Sequence, residues 1–121
     1  MPQLKILIAE DDETSKIFLS ILIKDISREV LQTANGMETV EKCRSNPDID
    51  LILMDINMPE MDGYEATRQI RQFNQKVVII AQTAFGLVGD REKSIQAGCN
   101  DYISKPIASK DLQALIMKHC Y

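Results

Sequence analysis

Four short stretches of this chain carry side chains suited to phosphate or metal chemistry. The apolar run Leu51-Ile52-Leu53-Met54 stops on a carboxylate, Asp55, and then enters a turn through Ile56-Asn57-Met58-Pro59. An ionised group at the end of a buried run is costly without a partner, so Asp55 calls for a cation, a ligand, or both. Glu10, Asp11 and Asp12 follow another apolar run, Leu4 to Ala9; Thr83 follows a third, and Lys105-Pro106 a fourth. If a fold brought these ends together, the carboxylates would raise one another's pKa unless a cation neutralised them. A hard divalent ion with oxygen ligands fits, and Mg²⁺ fits best, since it is commonly held by one or two carboxylates together with waters and phosphate oxygens. No His or Cys stands at any of these positions, which argues against zinc or copper. The acidic turn alone also suits a plainer role, capping the helix that follows it.

The intervening sequence must position these groups. Leu4 to Ala9, Val30 to Ala34, Leu51 to Met54, Val77 to Ala81 and Tyr102 to Ile103 are short, apolar and rich in β-branched residues, and each predicts a strand. Between and after them, Glu13 to Ile26, Met37 to Ser45, Tyr64 to Phe73, Leu87 to Ala97 and Ser109 to His119 have helical character, punctuated by Gly36, Gly63 and Gly98. Strands that are apolar on both faces, alternating with helices, predict an α/β fold: a doubly wound five-stranded parallel sheet with helices on both faces. In such sheets ligands bind beyond the carboxyl ends of the strands, where the strand order reverses. In an order 2-1-3-4-5, Asp11 and Asp55 would converge there.

The quoted stretches together resemble the response-regulator receiver domains of two-component signalling, which have a flavodoxin-like fold of that strand order. The resemblance runs through Lys5-Ile6-Leu7-Ile8-Ala9-Glu10-Asp11-Asp12, Leu53 to Gly63, Ala81-Gln82-Thr83-Ala84 and Asp101-Tyr102-Ile103-Ser104-Lys105-Pro106, and covers essentially all 121 residues as one receiver domain, 1–121. It implies that Asp55 is the phosphoacceptor, taking a phosphoryl group from a phosphohistidine of a sensor histidine kinase or histidine phosphotransfer domain. Glu10, Asp11, Asp55 and the backbone carbonyl of Asn57 would bind Mg²⁺, with Mn²⁺ as the substitute ion. Thr83 and Lys105 would contact the phosphoryl group, Tyr102 would follow Thr83 inward, and Pro106 would follow a cis peptide bond. Phosphorylation would then alter the face made by the fourth helix, fifth strand and fifth helix, or the phosphoryl group would pass onward. Such a domain is not an enzyme acting on a separate substrate; it promotes its own phosphorylation and slow dephosphorylation. Glycine at 86 and 89 predicts a malleable start to the fourth helix, and Phe85 a shield over the acyl phosphate.

Two other classes fit less well. An aspartyl-nucleophile phosphatase wants an acid two residues after the nucleophile, where this chain has Asn57, and more sequence for a substrate cap. A nucleotide- or flavin-binding module wants a Gly- or Ser/Thr-rich phosphate loop after the first strand, where this chain is acidic. A net charge of −4 and a pI near 4.9 leave no basic surface for nucleic acid. No apolar run has signal-peptide or membrane-spanning length, so the expectation is a cytoplasmic domain. Cys43, Cys99 and Cys120 lack metal or disulfide spacing and are expected to be buried or half-buried hydrophobes. His119 sits in the last helical turn, where a cation complements the helix dipole, rather than at a site of phosphate donation. The variants most similar in pattern around Gly89 to Lys93 and Asp101 to Ile107 are receivers of hybrid sensor kinases, with a stand-alone regulator as the alternative. In the first helix, Ile17, Phe18, Leu19, Ile21, Leu22, Ile23 and Ile26 cover an arc of about 240°. A core-facing stripe needs little over about 100°, so part of this surface should be exposed and free to dock a partner.

Overall fold

A computed structural model describes residues 2–84 and 88–121. Five strands form one parallel sheet: β1 (Leu4–Ala9), β2 (Ser27–Thr33), β3 (Leu51–Asp55), β4 (Val78–Thr83) and β5 (Asp101–Ser104), in the order β2-β1-β3-β4-β5. The connecting helices are α1 (Glu13–Ile23), α2 (Gly36–Ser45), α3 (Gly63–Arg71), α4 (Asp90–Ala97) and α5 (Ser109–Cys120). This is the expected doubly wound α/β architecture.

The sheet separates two apolar cores. Leu7, Ile52, Met54, Ile79 and Ala81 face α2 and α3, whereas Ile6, Ile8, Leu51, Leu53 and Ile80 meet Leu19 and Ile23 of α1 and Leu112 and Ile116 of α5. Alternate side chains of β1, β3 and β4 thus serve opposite cores, which is why those strands are mostly apolar on both faces, with Lys5 in β1, Asp55 at the end of β3 and Gln82 and Thr83 at the end of β4 as the polar members. Edge strand β2 is more polar and partly exposed, and it starts at Ser27, before its apolar residues begin.

The helix ends follow local chemistry. Asp12 caps α1 by accepting from the Ser15 amide at 2.9 Å, and Asp62 caps α3 by accepting from Glu65 at the same distance. Asn35 caps α2, while Glu38 reaches back to the Ala34 amide. Asn35-Gly36 is therefore a helix start. The first helix stops at Ile23 and tightens into a single 3₁₀ turn, Lys24–Ile26. The third ends at Arg71, with the Gln72 and Phe73 amides closing on Gln69 and Ile70 carbonyls. The start of α4 was expected at Leu87, which lies outside the described residues, as do Phe85 and Gly86; the described helix begins at Asp90, after Gly89 at φ +93°. Cys43 and Cys99 are buried and Cys120 is half-buried, all as free thiols. Among the described residues no helix is long and apolar enough to cross a membrane.

Candidate functional site

Register builds the site. Ala9 lies opposite Met54, so β1 and β3 end side by side, and Glu10 emerges next to Asp55. Asp55 in turn lies opposite Gln82, and Thr83 opposite Ser104, which places Lys105 one residue beyond the end of β5. The Glu10 amide is anchored to the Thr33 carbonyl at 3.0 Å, and the Lys105 amide to the Thr83 carbonyl at 2.8 Å. The turn after Asp55 is held by the Gly63 amide donating to the Ile56 carbonyl at 3.0 Å. Gly63 has no room for a side chain: a Cβ there would meet the Asp55 carbonyl oxygen at 2.5 Å.

Within this frame the carboxylate oxygens of Glu10, Asp11 and Asp55 lie within 4.8 Å of one another. Glu10 and Asp55 are buried, and Asp11 is exposed at the mouth. The Lys105 ammonium reaches across the cleft, donating to Glu10 Oε1 at 3.0 Å and lying 3.6 Å from Asp55 Oδ1. The Asn57 amide donates to Asp55 Oδ1 at 3.1 Å. Lys105 is followed by a cis peptide bond to Pro106. The acidic run is thereby divided in function: Glu10 and Asp11 join the cluster, while Asp12 turns away to cap α1.

The response regulator receiver domain family matches residues 6–117. The chain belongs to that family. This receiver is 42% identical over 122 residues to hybrid signal transduction histidine kinase G of Dictyostelium discoideum, covering 97% of this chain and 4% of the kinase. It is 39% identical over 110 residues to the polar-differentiation response regulator DivK of Brucella anthropi, covering 89% of this chain and 88% of DivK. The chain thus spans nearly all of one curated relative and a small part of the hybrid kinase. Among solved structures, the receiver domain of a Pseudomonas aeruginosa sensor histidine kinase, which has magnesium coordinated in its active-site cleft, is similar at a TM-score of 0.86 and 36% identity, with 98% of both chains covered. A Saccharomyces cerevisiae receiver co-crystallised with a histidine phosphotransfer protein is similar at 0.90 and 29%, covering 98% of this chain and 90% of that one.

The electrostatics of the receiver's cluster match a hard divalent cation. Burial, followed by the hydrogen bond and charge of Glu10, pushes the Asp55 carboxyl up to about 7, against the smaller opposing effects of the Asn57 amide and Lys105. Burial pulls the Lys105 ammonium down, but its hydrogen bond to Glu10 and the charge of Asp55 outweigh that and leave it raised. One lysine thus contacts two members of a three-carboxylate cluster, Glu10 and Asp55, and the donor set is all oxygen.

Thr83 stands on the other side of the cleft with its hydroxyl buried and without a hydrogen-bond partner. Its strand neighbours place it on the same sheet face as Tyr102, since Ala81 pairs with Tyr102 and Thr83 is two residues further along β4. Tyr102 is half-buried against the core beneath α2 and α3. Because an orphaned hydroxyl contributes nothing to the resting fold, Thr83→Val should leave stability unchanged or raise it by up to about 1 kcal/mol; chemical denaturation checks this, and a loss of stability would mean that the hydroxyl has a partner.

His119 Nε2 donates to Asp101 Oδ2 at 2.9 Å, tying the end of α5 to the start of β5. Asp101 begins β5, whereas Lys105 follows its far end, so His119 is tied to the end of the sheet opposite the cluster and its role is structural. Sequence reasoning passed over Gln82: its side-chain amide is fully buried, and neither its nitrogen nor its oxygen has a hydrogen-bond partner. The available signal was a carboxamide ending the apolar run Val77 to Ala81.

Proposed function

We propose that this receiver accepts a phosphoryl group on Asp55 from a phosphohistidine of a sensor histidine kinase or histidine phosphotransfer protein. The observation that carries the reading is the arrangement of Asp55 between Glu10 and Asp11 on one side and the Lys105 ammonium on the other. An Asp55 carboxylate oxygen attacks phosphorus, a new P–O bond forms, the P–N bond breaks, and its electron pair returns to the leaving imidazole. Lys105 stabilises the charge on the phosphoryl oxygens, and the Asn57 amide orients Asp55. Glu10, Asp11, Asp55 and the Asn57 carbonyl would hold Mg²⁺, or Mn²⁺ in its place, which when bound supplies charge neutralisation for the carboxylates and the incoming phosphoryl group.

The unpartnered Thr83 hydroxyl donates to a phosphoryl oxygen once one is present. Its movement makes room for Tyr102 on the same face, and the α4, β5 and α5 surface changes with it. Residues 1–121 act as one domain on the cytoplasmic side of signalling, either within a longer hybrid kinase or as a separate regulator. The magnesium-bound kinase receiver and the receiver bound to a phosphotransfer protein support this reading of metal and partner.

The partner's approach is supported by α1, where Ile17, Phe18 and Ile21 are 60%, 43% and 67% exposed beside the cleft, while Leu19 and Ile23 are buried. Ile21→Glu is expected to slow transfer from a phosphorylated histidine phosphotransfer protein by about tenfold, a loss of about 1.4 kcal/mol in docking. Uptake from acetyl phosphate, which needs no docking, should be unchanged. Equal slowing with both donors would remove α1 from the docking surface.

A further inference from the structure

The corner where β2 turns into α2 contributes no carboxylate to the cluster, yet it is packed against both halves of it. On one side the Thr33 carbonyl accepts from the Glu10 amide at 3.0 Å, where β1 releases Glu10 and Asp11. On the other side Gly36 lies against the backbone of Met61, in the loop that follows Asp55. A Cβ at position 36 would collide with the Met61 carbonyl oxygen and come within 2.8 Å of its carbonyl carbon. The corner itself is firmly held. The Asn35 side chain accepts from the Glu38 amide at 2.8 Å, and Glu38 reaches back to the Ala34 amide at 2.9 Å. The buried Thr39 hydroxyl donates to the Asn35 carbonyl and accepts from the Thr33 hydroxyl, both at 2.7 Å. The loop opposite is clamped at its far end, where Gly63 fits against the Asp55 carbonyl and donates to the Ile56 carbonyl. Within this loop Glu60 holds φ at +69°, a left-handed conformation that a residue other than glycine keeps only where its surroundings impose it.

Resting on the metal reading of the cluster given above, we propose that this corner, with Gly36 as its gauge, sets the separation between Glu10-Asp11 and the loop of Asp55 and Asn57, and thereby fits the cluster to Mg²⁺ over the larger Ca²⁺. The two ions differ in what they demand. Mg²⁺ requires near-octahedral oxygens at about 2.0–2.1 Å, whereas Ca²⁺ accepts oxygens at about 2.3–2.6 Å in flexible geometry. A ligand set divided between two strand ends and a loop meets the stricter demand only when contacts outside it fix the spacing. The β2–α2 corner supplies such contacts to both parts, through Thr33 to Glu10 and through Gly36 to Met61. Gly36 is a positioning residue, since it reaches neither the cation nor the phosphoryl group. A methyl group added there has to displace backbone, because the nearest atoms are the Met61 carbonyl. The start of α2 is held by its caps, and the loop is exposed at Asn57, Pro59 and Glu60, so the loop is the part that moves.

Gly36→Ala tests this, with the ¹⁵N-labelled chain titrated separately with MgCl₂ and CaCl₂. The variant is expected to bind Mg²⁺ about tenfold more weakly than the wild type, while its Ca²⁺ affinity changes by less than about threefold. In the cation-free chain the Asn57 and Met61 amide signals should move and those of Leu51 to Leu53 should not. Urea denaturation in a chelator establishes that the variant is folded. If it is not, Thr39→Val decides, since it removes the hydroxyl joining Asn35 to Thr33; the ratio of Mg²⁺ to Ca²⁺ affinity should then fall by at least about threefold. Equal weakening of both ions, an unchanged Mg²⁺ affinity, or loop signals that stay in place would overturn the proposal and leave the metal reading standing. A wild type that binds neither ion would overturn both.

Discussion

Asp55→Asn is expected to stabilise the cation-free receiver by roughly 2 kcal/mol at about pH 8 and hardly at all at about pH 4. The Asp55 carboxyl is lifted from its ordinary 3.8 to about 7 in the folded chain, by burial first and Glu10 second. A folded-state pKa above the unfolded value means that the folded chain binds the extra proton between those limits. Stability is consequently lost as pH rises from about 4 through about 7. The full rise corresponds to roughly 4 kcal/mol, but Asn also deprives Lys105 of one of its anionic neighbours, so about half is expected to appear. Urea denaturation in the presence of a chelator, at both pH values, measures it. A difference that did not grow with pH would show that Asp55 is not held at electrostatic cost. Saturating Mg²⁺ should shrink the gap, because the cation would stabilise the wild type by mass action.

Lys105 and Asp11 should fail in opposite ways when replaced. Asp11→Ala removes one of three convergent carboxylates and should weaken Mg²⁺ binding on the order of tenfold to a hundredfold, the lower end reflecting the exposure of Asp11. Its phosphoryl uptake should fall at limiting Mg²⁺ and recover as Mg²⁺ is raised. Lys105→Met removes the cation already in the cleft, and should leave Mg²⁺ affinity equal or tighter while slowing uptake by on the order of a hundredfold even at saturating Mg²⁺. Calorimetric Mg²⁺ titration alongside uptake rates separates the two. If both variants lost Mg²⁺ affinity alike, Lys105 would be a structural partner of Glu10 rather than a group held for the phosphoryl oxygens.

The strand ends were legible because chemistry and pattern agreed there. Leu4–Ala9 and Leu51–Asp55 are apolar on both faces, and a polar group at the end of such a run has few explanations. Glu10, Asp11 and Asp55 met as the strand order required, because Ala9 and Met54 are in register. The limits of β2 were less visible, since an edge strand needs no apolar face at Ser27, Arg28 or Glu29. The end of β4 was hidden for a different reason. Gln82 and Thr83 are polar, yet both are buried in the strand, the one under α1 and the other beside the cleft. Asp12 was ambiguous between ligand and cap until side-chain geometry gave it to the Ser15 amide. The excess apolar arc of α1 proved informative, because Ile17 and Ile21 remain exposed.

The most direct measurement of the phosphoacceptor assignment is the intact mass of the chain after incubation with acetyl phosphate and Mg²⁺, followed by peptide mapping. The wild type should gain the mass of a single phosphoryl group on the peptide containing Asp55, chelation should prevent the gain, and Asp55→Asn should show none. Uptake by Asp55→Asn equal to that of the wild type, or a phosphoryl group mapped to another residue, would contradict it.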